Sequence, residues 1–151
     1  MATLTFTSSR PATMTTDRLL WAGALTAVLA TSTNMVIYLA AESLTDLSGF
    51  WLLNPASIVA TISVAAVLAT IIYGLLGHYT AKPTAAFTSI SSVGLLLSFL
   101  PILALLFGVI PPLPNAEPLV ITAGTLVTLI IMHLASAATI VGMLTTVARD
   151  H

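Results

Sequence analysis

The chain has no cysteine. Disulfides, thiol redox chemistry, iron–sulfur clusters and cysteine-based zinc sites are excluded together. Charge is almost as scarce. Four Lys or Arg and five Asp or Glu make up 6% of 151 residues, against roughly 25% in an ordinary soluble domain. So few charges cannot form the polar shell that a short water-soluble chain needs. Nor can they form the basic stripe of a nucleic-acid binder, so no nucleic-acid partner is expected. The metalloprotease HExxH pattern, a Gly-rich phosphate loop and a GxSxG elbow are also missing. No catalytic residue and no metal site are assigned, and the chain is expected not to be an enzyme.

What is present is apolar. Hydrophobic residues make up 58% of the chain, and mean hydropathy is +1.08. The charges, Arg10, Asp17, Arg18, Glu42, Asp46, Lys82, Glu117, Arg149 and Asp150, punctuate long uncharged intervals. A helix needs about 20 apolar residues to cross the hydrocarbon core of a bilayer. Four intervals meet this length: 19–40, 58–76, 87–110 and 119–147. The expected fold is all-α: a polytopic membrane protein built as an antiparallel, up-down-up-down four-helix transmembrane bundle. Residues 1–16 are expected to be a flexible cytoplasmic segment, 17–148 the transmembrane domain, and 149–151 a cytoplasmic C-terminus. The first span is too long for a typical signal-peptide core and is read as uncleaved.

Helix-start chemistry agrees with these limits. Asp17 is expected to cap the first span. Asn54-Pro55 reads as an N-cap followed by Pro at the first helical position. Pro83 and Pro118 suit the same first-turn role in spans three and four. Orientation follows from the basic residues. Arg10, Arg18, Lys82 and Arg149 all fall on one side of a four-span topology, which the positive-inside rule assigns to the cytoplasm. The expected location is a bacterial cytoplasmic (inner) membrane, with both termini inside.

Lipid tails are as apolar as leucine, so hydrophobicity cannot pair these helices, and small residues must let backbones approach. At 100° per residue, Gly23, Ala27, Ala30 and Asn34 share a face of span one. Ala56, Ala60, Ser63, Thr70, Gly74 and Gly77 do so in span two, and Ser91, Gly94, Ser98, Pro101 and Gly108 in span three. Thr122, Thr125, His133 and Ser136 fall within one arc of span four. These stripes are expected to face inward. Pro101 is expected to kink span three, with Ser98 taking up the freed carbonyl near Leu97.

His133 lies near the middle of span four, where an ionisable side chain is costly and marks a functional candidate. Asn34 in span one is its natural partner if spans one and four are adjacent, with Ser136 and Thr125 on the same arc. Three roles remain open for His133. It can be cross-helix glue, it can bind a proton or substrate in a polar cavity, or it can ligate haem or a chlorophyll-type pigment, with Met35 or Met143 as a second haem ligand. No cofactor is otherwise expected.

Arg18-Leu19-Leu20-Trp21-Ala22-Gly23 opens span one, and Asn34 is followed by Tyr38-Leu39. Met132-His133-Leu134 and the run 137–141 lie in span four. With these motifs the chain resembles an uncharacterised family of small four-span bacterial membrane proteins, common in actinobacteria and related groups. The likeness covers 17–147. It implies the fold and the membrane location and brings no activity. Two functions are therefore carried forward. One is a non-catalytic accessory or assembly subunit, packed in the lipid bilayer against other membrane proteins or itself. The other is a small proton-coupled carrier or channel using His133 and Asn34.

Overall fold

The computed structural model describes residues 15–107, 109 and 121–148. Within them the chain forms α1 (Thr16–Leu44), α2 (Pro55–Tyr79), α3 (Pro83–Ser98), α4 (Leu100–Leu106) and α5 (Ala123–Val147). Taken together, α3 and α4 make one interrupted span. Four helical segments are therefore long and apolar enough to cross a membrane, and the protein is a multi-pass four-helix bundle. The expected loop 111–118, Arg10, Glu117, Arg149, Asp150 and Gly108 lie outside the described residues.

The helix ends show where local chemistry ruled. Asn54 caps α2: its side chain accepts from the Ser57 amide at 3.0 Å, and Pro55 occupies the first turn. Pro83 opens α3 in the same way. Asp17 does not cap α1. Thr15 holds the N-cap position without a side-chain bond, and Asp17 lies in the first turn, where its charge still favours the helix dipole. For the last span, Thr122 caps α5 by accepting from the Thr125 amide at 3.1 Å. The helix therefore starts at Ala123, and Pro118 lies outside the described residues.

The third span breaks just before Pro101, as its missing N–H dictates. Ser98 does not take up the Leu97 carbonyl. Its hydroxyl donates to Leu95 O at 2.6 Å, and the Phe99 amide covers Leu96 O and Leu97 O. The chain repairs its own break with backbone.

α1 is the hub and packs against both α2 and α5. Its buried residues are Ala22, Thr26, Ala30, Asn34 and Tyr38, one every fourth position. A period of four on a helix of 3.6 residues per turn drifts by about 40° per step. The seam therefore winds around α1 and serves two neighbours in turn. Near its start Gly23 lies against Thr70 of α2. Further along, Asn34 meets Ser136 of α5, and beyond its end Thr45 lies against Gly124. α3 instead packs on α2 and α5.

Not every small stripe packs inward. In α2 the buried residues are Ile58, Ile62, Ala66, Thr70 and Tyr73, while Ala56, Ala60 and Gly77 are exposed. Small residues are needed only where backbones nearly touch, and branched side chains fill the wider gaps. In α3 only Phe87 is buried. Gly94 and Pro101 are exposed, and Ser91 and Ser98 are half-buried.

The tightest contact makes a test. A Cβ on Gly23 would lie 2.6 Å from Thr70 Oγ1 and 2.8 Å from its Cγ2. Thr70 is fixed by its own bond to Ala66 O at 2.7 Å. Gly23→Ala should cost about 1–3 kcal/mol in detergent-unfolding experiments. Adding Thr70→Ala should recover most of that loss, whereas Gly142→Ala, with open space around it, should change nothing.

Candidate functional site

α2 and α3 meet beside their short connection. The rings of Tyr73 and Phe87 pack edge-on at 5.0 Å, and Tyr73 Oη lies 3.5 Å from Thr84 Oγ1. Beyond this clasp the two helices leave a cleft of about 490 Å³ between them, backed by α5. That is the size of a small-molecule site. Its mouth is set by Thr61, Leu68, Ile72, Ile90 and Gly94, all exposed on the outside of the bundle. The opening therefore faces sideways, toward lipid. Most of the wall is apolar, and none of the lining residues carries a formal charge apart from the titratable His133.

The polar groups collect at the inner end. Asn34, His133 and Ser136 all line the cleft. Asn34 is fully buried. Its Nδ2 donates to Ala30 O at 2.8 Å within α1 and to Ser136 Oγ at 2.9 Å across to α5. Both of its N–H donors are thereby used. Its Oδ1 is buried and has no partner among the described residues. A buried acceptor left so costs about 1–3 kcal/mol, which makes Asn34 an expensive residue to keep for packing alone.

His133 behaves otherwise than the sequence suggests. α1 and α5 are adjacent, yet Asn34 reaches Ser136 and not the imidazole. His133 Nδ1 lies 2.7 Å from Leu129 O on its own helix. A carbonyl only accepts, so Nδ1 carries a proton, and with a single ring proton Nε2 is the acceptor. Nε2 has no partner among the described residues. Phe99 packs beside the ring at a centroid distance of 5.3 Å. Pro101 contributes here indirectly, since the break it imposes sets Phe99 at the turn between α3 and α4.

Thr125 lies apart from this group. It is buried at the start of α5, its Oγ1 2.9 Å from Thr122 Oγ1 in the helix cap, and it does not line the cleft. Sequence reasoning thus brings together three of its four polar candidates. It misses Phe99 and takes Ser91 and Gly94 for packing residues when they are cleft wall. Ligation of haem or a pigment by His133 would run through Nε2. Met35 and Met143 do not line the cleft, so neither stands ready as a second haem ligand. Among the described residues no group of three or more His, Asp or Glu could hold a metal ion.

A smaller hollow of about 230 Å³ lies under the α1–α2 connection. Leu47, Phe50 and Leu53 anchor that connection in the core, and Tyr38 Oη donates to Glu42 Oε1 at 3.1 Å. Asp46 is held below its ordinary value of 3.8 by the Ser48 hydroxyl and then the Ser48 amide, which donates at 2.9 Å.

Comparison with protein-family models, with curated proteins and with solved structures finds no match. The cleft must therefore be read from its own chemistry.

Two measurements follow from this geometry. In a double-mutant cycle, Asn34→Ala and Ser136→Ala should couple by about 0.6 kcal/mol, the usual size of a bond between membrane helices. Zero coupling would remove the cross-helix bond. The Asp46 carboxyl binds its proton less readily in the folded loop. It therefore steadies the loop above the ordinary carboxylate range, and that contribution disappears as pH falls through the depressed value. An NMR titration should place Asp46 below 3.8, and Ser48→Ala should move it upward.

Proposed function

We propose that this protein is a non-catalytic component of a bacterial cytoplasmic membrane, with both termini inside, and that it binds a membrane-soluble molecule in its lateral cleft. Its motifs resemble those of a family of small four-span bacterial membrane proteins. The observation that carries this reading is the cleft, an apolar chamber open toward lipid that ends on the Asn34, Ser136 and His133 cluster. A scaffold built only for packing would close helix against helix at that depth. Molecules enter such a chamber from the bilayer, so binding or carriage of an amphipathic molecule fits better than a water-filled proton channel. His133 and Asn34 act as the polar end of the chamber.

The third span favours a second reading. Only 11% of its apolar window is buried inside the bundle, less than in any other candidate span. An accessory or assembly subunit would offer that face to a neighbouring membrane protein or to a second copy.

Gly94 separates the two readings. It lines the cleft, and a Cβ added there meets nothing within 4 Å. Gly94→Phe should fill the cleft without disturbing the bundle. Native mass spectrometry of the particle released gently from its membrane should show one small-molecule adduct per chain in the wild type and none in Gly94→Phe. Absence of any adduct from the wild type would overturn the binding role. Protein partners retained by both variants would transfer the assignment to the accessory role.

A further inference from the structure

The polar end of the cleft also specifies the chemistry of its occupant, an inference that rests on the binding role proposed above. Three residues line that end. Asn34 is fully buried, with its unpartnered Oδ1 closed off inside the wall, and its amide holds Ser136 in place. His133 Nε2 is an acceptor in the neutral ring, because Nδ1 is committed to Leu129 O. Ser136 Oγ already accepts from Asn34 Nδ2, so its hydroxyl proton is the donor of the set. The open part of the cluster, His133 and Ser136 on successive turns of α5, therefore offers one acceptor and one donor.

We infer that the cleft selects a membrane-soluble alcohol or phenol: a neutral hydroxyl at the head of an apolar body. An O–H group donates to His133 Nε2, and its oxygen accepts from Ser136. One small group thus answers both polarities. The alternatives match less well. A ketone, ester or ether only accepts, and leaves His133 Nε2 as it was. An ammonium group needs a carboxylate, and none lines the cleft. A carboxylate or phosphate would meet the His133 acceptor and find no Lys or Arg among the lining residues. Charged lipid headgroups are thereby turned away, and the remaining wall receives an alkyl, isoprenoid or ring body without further polar demand.

The test uses the full chain in phosphatidylcholine nanodiscs. Deuterated 1-hexadecanol and deuterated hexadecyl methyl ether are titrated separately, and adducts are counted by native mass spectrometry. The two probes share their tail and differ in the hydroxyl proton. The wild type should hold the alcohol about tenfold more strongly than the ether, the order expected of one well-placed hydrogen bond. That preference should shrink severalfold in His133→Phe and in Asn34→Leu. The histidine variant keeps the test decisive if the asparagine variant fails to fold. Gly94→Phe should lose both adducts. Equal binding of alcohol and ether by the wild type would overturn the hydroxyl selection and leave the binding role standing. Binding of neither probe, with phospholipid as the sole adduct, would overturn the hydroxyl selection. Binding of neither probe and no adduct of any kind would overturn the binding role as well. An undiminished preference in both variants would remove His133 and Asn34 as its source.

Discussion

The bundle depends on the close seam along α1. Oily helices gain nothing from leaving oil for one another, so something other than hydrophobicity must hold them. Here it is backbone proximity. Ala22, Thr26 and Ala30 are small enough to let α1 approach its neighbours, and Gly23 removes the last side chain where Thr70 presses in. Because the seam recurs every fourth residue, it rotates around the helix and joins α2 and α5 through a single element. The third span is left to the far side, where it packs on α2 and α5 and the Tyr73–Phe87 clasp joins it to α2. The cleft follows from this division. It is the space left when two helices close on α1 and the remaining one does not.

The same constraint explains the polar groups. In a hydrocarbon setting each hydroxyl must find a partner close at hand. Thr26, Thr70, Thr128 and Thr145 each donate to the carbonyl four residues earlier. These residues are polar by composition and silent by bonding. Among the described residues Asn34 Oδ1 is the fully buried side-chain atom left without a partner, since an amide carries an acceptor that a helix cannot satisfy. His133 has one nitrogen used and one spare. The distinction between satisfied and unsatisfied polar groups, more than polarity itself, is what separates Thr128 from Asn34 as a functional candidate.

Much of the fold was legible in the sequence because charge spacing alone marks the spans, and Asn54-Pro55 and Pro83 mark two of their starts. The pairing of the faces was not legible. Projection at 100° per residue groups Ala56, Ala60 and Gly77 plausibly, yet Ile58 and Ile62 are the residues that pack. Side-chain size shows where a close approach is allowed; it does not show where one occurs. The site was half legible. Depth in the span singled out His133 and Asn34, and the structure brings both to one cleft. Their bonds could not be foreseen, because a backbone carbonyl on the same helix competes with every cross-helix partner. Thr125 shows the converse failure: it shares an arc with His133 but serves the helix cap two turns away.

The long separation between the two ends of the Asn34–Ser136 bond has a bearing on biogenesis. The residues are 102 positions apart, so α1 enters the bilayer well before α5 has been synthesised. During that interval the Asn34 amide has Ala30 O for one of its two donors and must travel with the other unmet, either beside α2 or in lipid. The hydroxyls that bond within their own helices impose no such wait. The first two spans can therefore pair as they emerge, and the last then supplies a neighbour to both α1 and α3. Truncation ahead of α5 would leave α1 without one of its two neighbours and the Asn34 amide without Ser136.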